Sequence, residues 1–352
     1  MNPIFLSFGD FYIAWYGILV AAGLLSGTLL SSALARREGL DPVVVIDLLI
    51  VIVVGMLVGA RMFYIFTVWG EFLRDPLPHL LSRNGYVFLG GLVGGMLAAL
   101  GMLKWRGIPV ARTFDVLAPA VPVGHALGRV GCHMTGCCYG GICPTGSTFA
   151  CLQVPPAWHL LSNGKREAVG GYAWFDQVEA GLIGPSAPYS LPVYPTQLLE
   201  AAGNMAIAGA LLYLFFRRGW KGQVVVAYFI MYPLLRFALE FMRGDAVRGV
   251  YSMAGLTLSF SQWLSLSMLV AAVALYVLGT RGMLKAWDAP WPEAVRLKLA
   301  GSDTPAAHPA PAAAAVAPPP AATAQAAPAA TEPASRRPRS KPPKAAKGTR
   351  KR

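Results

Sequence analysis

The sequence predicts an all-α integral membrane protein with seven transmembrane helices and a disordered C-terminal tail. Hydrophobic residues make up 55% of the 352 residues, and charged residues only 13%. A typical soluble domain carries about 25% charged residues. Long apolar segments also recur along most of the chain. This composition excludes an ordinary soluble enzyme, and it excludes a disordered protein for everything but the tail.

The spans follow from length and hydropathy. A helix needs about 20 mostly apolar residues to cross a hydrocarbon core of about 30 Å. Six segments meet this requirement, and a seventh meets it weakly because Pro119, Pro122, His125 and Arg129 interrupt it. Neighbouring helices can satisfy the backbone groups of such a segment. The predicted spans are 11–35, 43–69, 86–103, 113–131 (the weak one), 197–216, 223–242 and 262–280.

The basic residues in the loops predict the orientation. With the N-terminus outside, the inner loops total 26 residues with 10 Lys and Arg, whereas the outer segments total 111 residues with six. Cytoplasmic loops of membrane proteins carry this excess of basic residues. We therefore predict an outside N-terminus, a cytoplasmic C-terminus and a main extracytoplasmic loop at 132–196.

The tail forms the second predicted region, at 301–352, after a membrane domain at 1–300. Residues 304–335 are almost entirely Ala, Pro and Thr, which cannot offset the entropy of ordering. The last 51 residues contribute +7 to the net charge of +13. Binding to anionic lipid or nucleic acid is one hypothesis for this basic segment. A solvated tail without a nucleic-acid partner is favoured, because no aromatic residue lies among the basic ones.

Seven ionisable residues lie inside the predicted spans, where each needs a partner or a function because an unpaired charge is costly there. Asp47 and Asp115 lie near inner helix ends, where acidic residues in a first turn favour the helix dipole. The other five lie in the outer half of the membrane: Arg61, Arg129, Glu200, Arg236 and Glu240.

Three arginines against two glutamates leave excess positive charge in the outer leaflet. Arginine binds phosphate through a bidentate fork, so an anionic phospholipid headgroup is a predicted partner. Buried ion pairs that fix helix contacts are the alternative. Arg236 and Glu240 can pair because they are i,i+4 neighbours, and Tyr232 lies one turn earlier on the same face. Tyr16 and Gln197 lie at the same predicted level.

The cysteines are confined to residues 132–151: Cys132, Cys137, Cys138, Cys143 and Cys151. An extracytoplasmic position permits a disulfide, for example within 137–151, and an odd number leaves at least one thiol that stays free or pairs elsewhere. Nearby histidines make a metal site conceivable, but the spacing fits no CxxC…CxxC pattern. We therefore predict no metal and no cofactor. The lack of CxxC also argues against a thiol-redox protein.

Seven short segments follow one another in a specific order between about residues 11 and 280. They are Trp15-Tyr16-Gly17, Gly59-Ala60-Arg61, Gly90-Gly91-Leu92, Gly128-Arg129-Val130-Gly131 with Tyr139-Gly140, Tyr194-Pro195-Thr196-Gln197-Leu198, Arg236-Phe237 with Glu240-Phe241 and Arg243, and Gln262-Trp263-Leu264-Ser265. In this order they resemble motifs of the bacterial phosphatidylglycerol–prolipoprotein diacylglyceryl transferases. The seven spans and outside N-terminus of that family agree with the topology predicted above.

The resemblance implies transfer of diacylglycerol from phosphatidylglycerol to the lipobox cysteine of an exported prolipoprotein, at the outer leaflet of the bacterial plasma membrane. The implied partners are phosphatidylglycerol, lipobox-containing prolipoproteins and membrane lipid. The candidate catalytic residues are Arg129 and Arg236 for the phosphate, Glu240 to orient Arg236, and His125. The candidate substrate-binding residues are Arg129, Tyr16, Arg61, Gly90, Gly91, Gln197 and Tyr232.

The chain departs from the family's pattern at three places. Leu89 stands where the family usually has a histidine, and Cys132 where it usually has an asparagine. Thr135-Gly136-Cys137 replaces a frequent Asn-Gly-Glu. The absent histidine is a usual candidate for the base of the thiol. His125 and His133, one helical turn to either side of the signature arginine, are candidate replacements.

Two alternatives stay open at this point. One is a non-enzymatic anionic-lipid-binding or transport protein, since outer-leaflet arginines and a proline-containing helix also suit an anion pathway. No internal repeat supports this alternative. The other is a related transferase with a different acceptor.

Overall fold

The computed structural model describes residues 2–82, 85–144, 146–147, 150–243, 250–253, 256–284 and 289–297. The predicted tail at 301–352 lies outside these residues. In chain order the described helices are α1 (Trp15–Arg37), α2 (Val43–Thr67), α3 (Trp69–Phe72), α4 (Pro76–Leu81), α5 (Phe88–Trp105), α6 (Val110–Leu117), α7 (Ala120–Thr135), α8 (Tyr172–Glu179), α9 (Thr196–Arg217), α10 (Gln223–Glu240) and α11 (Phe260–Thr280).

Within the described residues, five helices are long and apolar enough to cross a membrane: α1, α2, α9, α10 and α11. They overlap the predicted spans 11–35, 43–69, 197–216, 223–242 and 262–280. The apolar part of α5 is shorter and lies in the predicted span 86–103. The architecture is therefore that of a mostly helical, multi-pass membrane protein.

The weak span at 113–131 is not a single helix. Its residues belong to α6 and α7, which are separated between Leu117 and Ala120. Pro119 lies at this break, and it has no N–H to continue the hydrogen-bond ladder of α6. Helix α7 extends beyond the predicted end of this span at residue 131, because it ends at Thr135 and so includes His133.

In the described part of the chain, three short antiparallel hairpins add strands that the all-α prediction does not include. They are β1 (Ile4–Phe8) with β2 (Phe11–Ala14), β3 (Ala157–Leu160) with β4 (Arg166–Gly170), and β5 (Val250–Met253) with β6 (Leu256–Ser259). The first span is consequently shorter than predicted, since residues 11–14 form β2. Contacts link the first two hairpins: His159 Nε2 lies 3.0 Å from the Gly9 carbonyl oxygen, and Ser162 Oγ donates to Asp10.

The two acidic residues predicted to favour their own helix dipoles have other partners. Asp115 is fully buried and accepts hydrogen bonds from the backbone N–H groups of Gly222, Val224 and Val225, at 2.7–3.0 Å. It therefore caps the N-terminus of α10 rather than that of its own helix. Asp47 pairs with Arg106 at 2.6 Å.

Glycines bring α2 and α5 into backbone contact. A Cβ atom added at Gly94 would lie 2.3 Å from the carbonyl oxygen of Gly55. One added at Gly59 would lie 2.3 Å from the carbonyl oxygen of Gly90. Small residues four positions apart permit this close helix crossing.

Replacing Gly94 by alanine should destabilise the protein, because the new methyl group meets backbone that cannot rotate away. Overpacking of this kind costs about 1–3 kcal/mol. The matched control is Gly101→Ala in the same helix, where no atom lies within 4 Å of the added Cβ. Thermal unfolding of the purified variants should show a lower Tm for Gly94→Ala alone. Equal Tm values would contradict the observed crossing.

Glu38, which follows α1, joins three parts of the chain. Its Oε2 lies 3.2 Å from Arg112 Nη2 and 3.1 Å from Lys221 Nζ, and its Oε1 pairs with Arg218. Burial raises the pKa of Glu38, but the charges of these three partners more than offset it, so the pKa lies below its usual 4.5.

Glu38→Gln should lower the free energy of unfolding at neutral pH and reduce the loss of that free energy as the pH falls. The folded pKa is below the unfolded one, so the carboxylate contributes stability above pH 4.5 that is lost as pH falls below that value. Unfolding at pH 7, 5 and 4 measures this effect. Glu71→Gln, at an exposed position, should follow the unmodified protein. If the stability of Glu38→Gln also depends on pH as that of the unmodified protein does, the ion pairs of Glu38 add no stability.

Candidate active site

Helices α7, α9 and α10 bring the predicted site residues together. Arg129 and His125 lie one turn apart on α7, and Arg129 Nε is 3.4 Å from His125 Nε2. Both reach Glu200 on α9: Arg129 Nη2 lies 3.1 Å from Glu200 Oε1, and His125 Nε2 lies 3.4 Å from the same atom. The Glu200 side chain is only 3% exposed, so its charge is screened little and holds Arg129, which in turn donates to His125.

Arg236 and Glu240 form the second ion pair, at 2.8 Å along α10, as their i,i+4 spacing predicts. Both side chains are largely buried. Nη1 of Arg236 is buried without a hydrogen-bond partner among the described residues. A buried donor without an acceptor is costly, so this nitrogen is suited to meet an acceptor on a ligand.

Tyr232 lies between the two pairs. Its ring centroid is 5.2 Å from that of His125, and it stacks on Tyr228 at 5.6 Å. Charged groups close enough to act on its hydroxyl are Glu200, Arg129, Arg236 and Arg243. The structure therefore groups five residues that the sequence analysis selects as site residues: Arg129, Arg236, His125, Glu240 and Tyr232.

Tyr16 borders the same region from the start of α1. It packs on Gly131 of α7, where an added Cβ would lie 3.0 Å from the tyrosine ring. The side chain remains 46% exposed, and the charge of Arg129 acts on it. Tyr16 is thus placed to contact a molecule that reaches Arg129.

The Gln197 side chain is buried and hydrogen-bonded to the backbone rather than exposed to a substrate. Its Nε2 donates to the Cys137 carbonyl oxygen at 2.7 Å, and the residue is 4% exposed. Thr196 Oγ1 donates to the Cys138 carbonyl oxygen at 3.1 Å. The start of α9 therefore fixes the segment that follows α7, and substrate binding by Gln197 stays a prediction.

Arg61, Gly90 and Gly91 have other neighbours. The guanidinium of Arg61 donates to the carbonyl oxygens of Ser82 and Gly85, and lies over the rings of Tyr64 and Tyr86. Gly90 and Gly91 face α2 in the close crossing of α2 and α5. Their predicted role in substrate binding stays a prediction.

Two residues join the site that the sequence-based selection omitted. Glu200 was recognised as an intramembrane charge, and its pairing with Arg129 gives it a place here. Arg243 follows α10 and forms an antiparallel bridge with Gly140. Its motif context, two residues after Glu240-Phe241, was the signal that could have identified it.

We call Arg129, Arg236, Arg243, Glu200 and Glu240 together the arginine cluster. Its three arginines and two glutamates carry a formal charge of +1. Guanidinium groups held by buried carboxylates are preorganised donors, which stabilise negative charge that develops on a phosphate.

An apolar groove of about 440 Å³ adjoins the arginine cluster. Its walls come from α1, α2 and the α6–α7 region, and His125 is one of the lining residues. Small side chains on α1 widen it, at Gly23, Gly27 and Ser31. An apolar groove beside a cationic cluster matches an amphiphile with an anionic headgroup.

The cysteines divide into a disulfide and three free thiols. Cys143 and Cys151 form the disulfide, within the segment where the sequence permits one. The free thiols are Cys132, Cys137 and Cys138, all half-buried.

Known proteins match most of the chain. Residues 3–278 match the family model described as Prolipoprotein diacylglyceryl transferase. Phosphatidylglycerol–prolipoprotein diacylglyceryl transferase 2 of Clostridium perfringens (strain 13 / Type A) is 29% identical over 270 residues, 74% of this chain and 89% of the relative. The transferase of Acaryochloris marina (strain MBIC 11017) is 30% identical over 250 residues, 70% of this chain and 81% of its own. The transferase of Gloeobacter violaceus is 28% identical over 250 residues, which are 70% of this chain and 83% of the relative. The chain therefore belongs to the prolipoprotein diacylglyceryl transferase family, as its motifs indicate.

Proposed function

We propose that this protein transfers the diacylglyceryl group of phosphatidylglycerol to the cysteine thiol of a prolipoprotein, giving a thioether and glycerol phosphate. The family of the chain and the names of its relatives support this reaction. In the structure, the observation that carries it is Nη1 of Arg236, which is buried without a hydrogen-bond partner in the described part of the chain and belongs to a cluster of net positive charge. Family membership does not favour the non-enzymatic alternative.

The leaving group determines what the arginines do. The thiolate sulfur attacks the glycerol carbon, the C–O bond to phosphate breaks, and its electron pair remains on the phosphate oxygen. Arg129 and Arg236 would hold that phosphate and stabilise the charge that builds on it. Glu200 would orient Arg129, and Glu240 would orient Arg236. The hydroxyl groups of Tyr16 and Tyr232 would form hydrogen bonds with the headgroup, and the adjoining groove would bind an acyl chain.

His125 is the candidate acceptor for the thiol proton. Arg129 Nε donates to His125 Nε2, which requires a lone pair on that nitrogen and therefore a neutral imidazole. A neutral imidazole is the form that a general base needs, and its Nε2 lone pair would take the thiol proton once the phosphate accepts from Arg129 Nε in its place.

The membrane arrangement extends the proposal. Seven spans would comprise the five long helices, α5, and the broken pair α6–α7, with an outside N-terminus and a cytoplasmic C-terminus. The distribution of basic residues supports this orientation. It places the arginine cluster at the outer leaflet of the bacterial plasma membrane, where an exported precursor presents its lipobox cysteine. Residues 1–300 form the transferase domain in this proposal, and 301–352 a disordered basic tail.

A direct assay tests the reaction. Purified protein is incubated with phosphatidylglycerol and a lipobox peptide, and the peptide mass is measured. We expect a gain equal to one diacylglyceryl group on the cysteine. A peptide with serine at that position, and phosphatidylcholine in place of phosphatidylglycerol, are the controls. Folded protein that yields no adduct, or equal adduct with the serine peptide, would overturn the proposed function.

A further inference from the structure

Three thiols converge at the end of α7, although the spacing of the cysteines predicts no metal site. The Sγ atoms of Cys132, Cys137 and Cys138 all lie within 4.8 Å of one another. A tetrahedral zinc ion with Zn–S bonds of about 2.3 Å sets its sulfur atoms about 3.8 Å apart. The three sulfurs therefore need only a small inward movement to share one ion.

Groups outside the thiols hold this arrangement. Gly136 and Cys138 both have positive φ values, 70° and 56°, which turn the chain back on the end of α7. A left-handed conformation is unfavourable for a cysteine, so surrounding contacts must maintain it. Gln197 and Thr196 provide these contacts by donating to the carbonyl oxygens of Cys137 and Cys138.

The local charge suits deprotonated thiols. Three thiolates around a divalent ion leave a charge of −1, which is costly to bury without compensation. Arg129 lies one turn before Cys132 on α7, and Arg243 forms an antiparallel bridge with Gly140, two residues after Cys138. These arginines belong to the arginine cluster, so the two groups compensate each other electrostatically.

We propose that Cys132, Cys137 and Cys138 bind a zinc ion and leave its fourth coordination position to the acceptor thiol. Sulfur ligands select thiophilic ions such as zinc. Among the described residues, no fourth histidine, cysteine or carboxylate belongs to this group. Zinc sites with three protein ligands keep the fourth position for water or substrate. The part concerning the acceptor thiol rests on the proposed function.

Coordination would prepare the thiol for transfer. A thiol that binds zinc loses its proton, which passes to solvent or a nearby base. The bound thiolate sulfur then forms the C–S bond, while the C–O bond of phosphatidylglycerol breaks and glycerol phosphate leaves with its electron pair. The zinc is neither oxidised nor reduced. Tyr16 packs on Gly131, which lies between Arg129 and Cys132 on α7, so the step would take place beside the phosphate held by Arg129.

Metal content tests the site without any transfer assay. Reduced, full-length protein is incubated with Zn²⁺ alone, desalted and analysed for zinc and protein. We expect about one zinc per chain, and at least a tenfold weaker Kd for Cys138→Ser. The double variant Cys143→Ser/Cys151→Ser is the matched control and should retain zinc. A reduced protein that binds no zinc, or a Cys132→Ser/Cys137→Ser/Cys138→Ser variant that binds it equally, would overturn the site. A disulfide between two of the three thiols, found by peptide mapping of protein purified without reductant, would do so as well.

Cobalt substitution tests the fourth position. The absorption bands of Co²⁺ bound to the three thiols should change when a lipobox peptide is added without phosphatidylglycerol, and not with the serine peptide. Unchanged absorption bands would show that the acceptor thiol does not bind the metal. The outcomes separate the two proposals. Zinc binding without adduct formation would refute the proposed function alone. Adduct formation at an unchanged rate by the triple serine variant would refute the role of zinc in transfer alone.

Discussion

Replacing Arg129 by alanine should lower the rate of diacylglyceryl transfer at least about 100-fold, the usual loss when one preorganised donor to a developing negative charge is removed. Arg129 pairs with buried Glu200 and donates to His125, so its guanidinium is fixed before substrate arrives. Arg129→Lys should recover only part of the rate, because lysine keeps the charge but loses the bidentate fork.

The control for this prediction is Arg217→Ala, at the opposite end of α9, where the guanidinium lies over the ring of Tyr213. Initial rates of adduct formation are compared for proteins with matching Tm values. An Arg129→Ala variant within a few-fold of the unmodified protein would show that this arginine is not part of the site.

Glu200→Gln should produce the second large effect, a fall in kcat of about 10- to 100-fold with a much smaller change in the KM for phosphatidylglycerol. The substitution preserves shape but removes the carboxylate that positions Arg129 and, through Arg129, His125. The lipid still meets a cationic region, so binding should persist while the alignment of the phosphate is lost. Glu200→Asp should restore part of the rate because it restores the charge.

Glu200 is a positioning residue here, and the split between kcat and KM distinguishes that role from a structural one. A merely destabilised protein would lose active molecules without this split, and it would show a lower Tm. Glu179→Gln at the end of α8 serves as a control. The positioning role would be contradicted if the glutamine and aspartate variants lost the same total activity only because fewer molecules were folded, with kcat per folded molecule unchanged.

Much of this arrangement follows from periodicity and charge. The pairing of Arg236 with Glu240, and the shared face of His125 and Arg129, need only the i,i+4 geometry of a helix. The long spans follow from apolar length alone. The motif order identified the family, because those segments carry the residues that meet at the arginine cluster.

Other features depend on contacts distant in sequence. The ion pair of Arg129 with Glu200 joins two helices, and no local pattern selects Glu200 over Glu240 as its partner. Arg61 was grouped with the outer-leaflet charges by depth, yet its guanidinium binds the carbonyl oxygens of Ser82 and Gly85. The hairpins have strands of only four or five residues, which are too short for a clear alternating pattern.

The thiol group illustrates the same point. The spacing of residues 132, 137 and 138 matches no metal-ligand pattern. Spacing rules do not represent the end of α7 at Thr135 or the left-handed conformations of Gly136 and Cys138. Backbone conformation at Gly136 and Cys138 brings the sulfurs together. Sequence spacing therefore does not predict that the fold brings these three thiols within 4.8 Å of one another.

The central claim is that the thiolate attacks carbon and that the arginines hold phosphate as the leaving group. Phosphatidylglycerol labelled with ¹⁸O in the bridge between the diacylglycerol carbon and phosphorus tests it directly. Because the C–O bond breaks, the label should appear in the released glycerol phosphate, and the thioether peptide should carry none. Label retained with the diacylglycerol portion would mean cleavage at phosphorus and would contradict this mechanism.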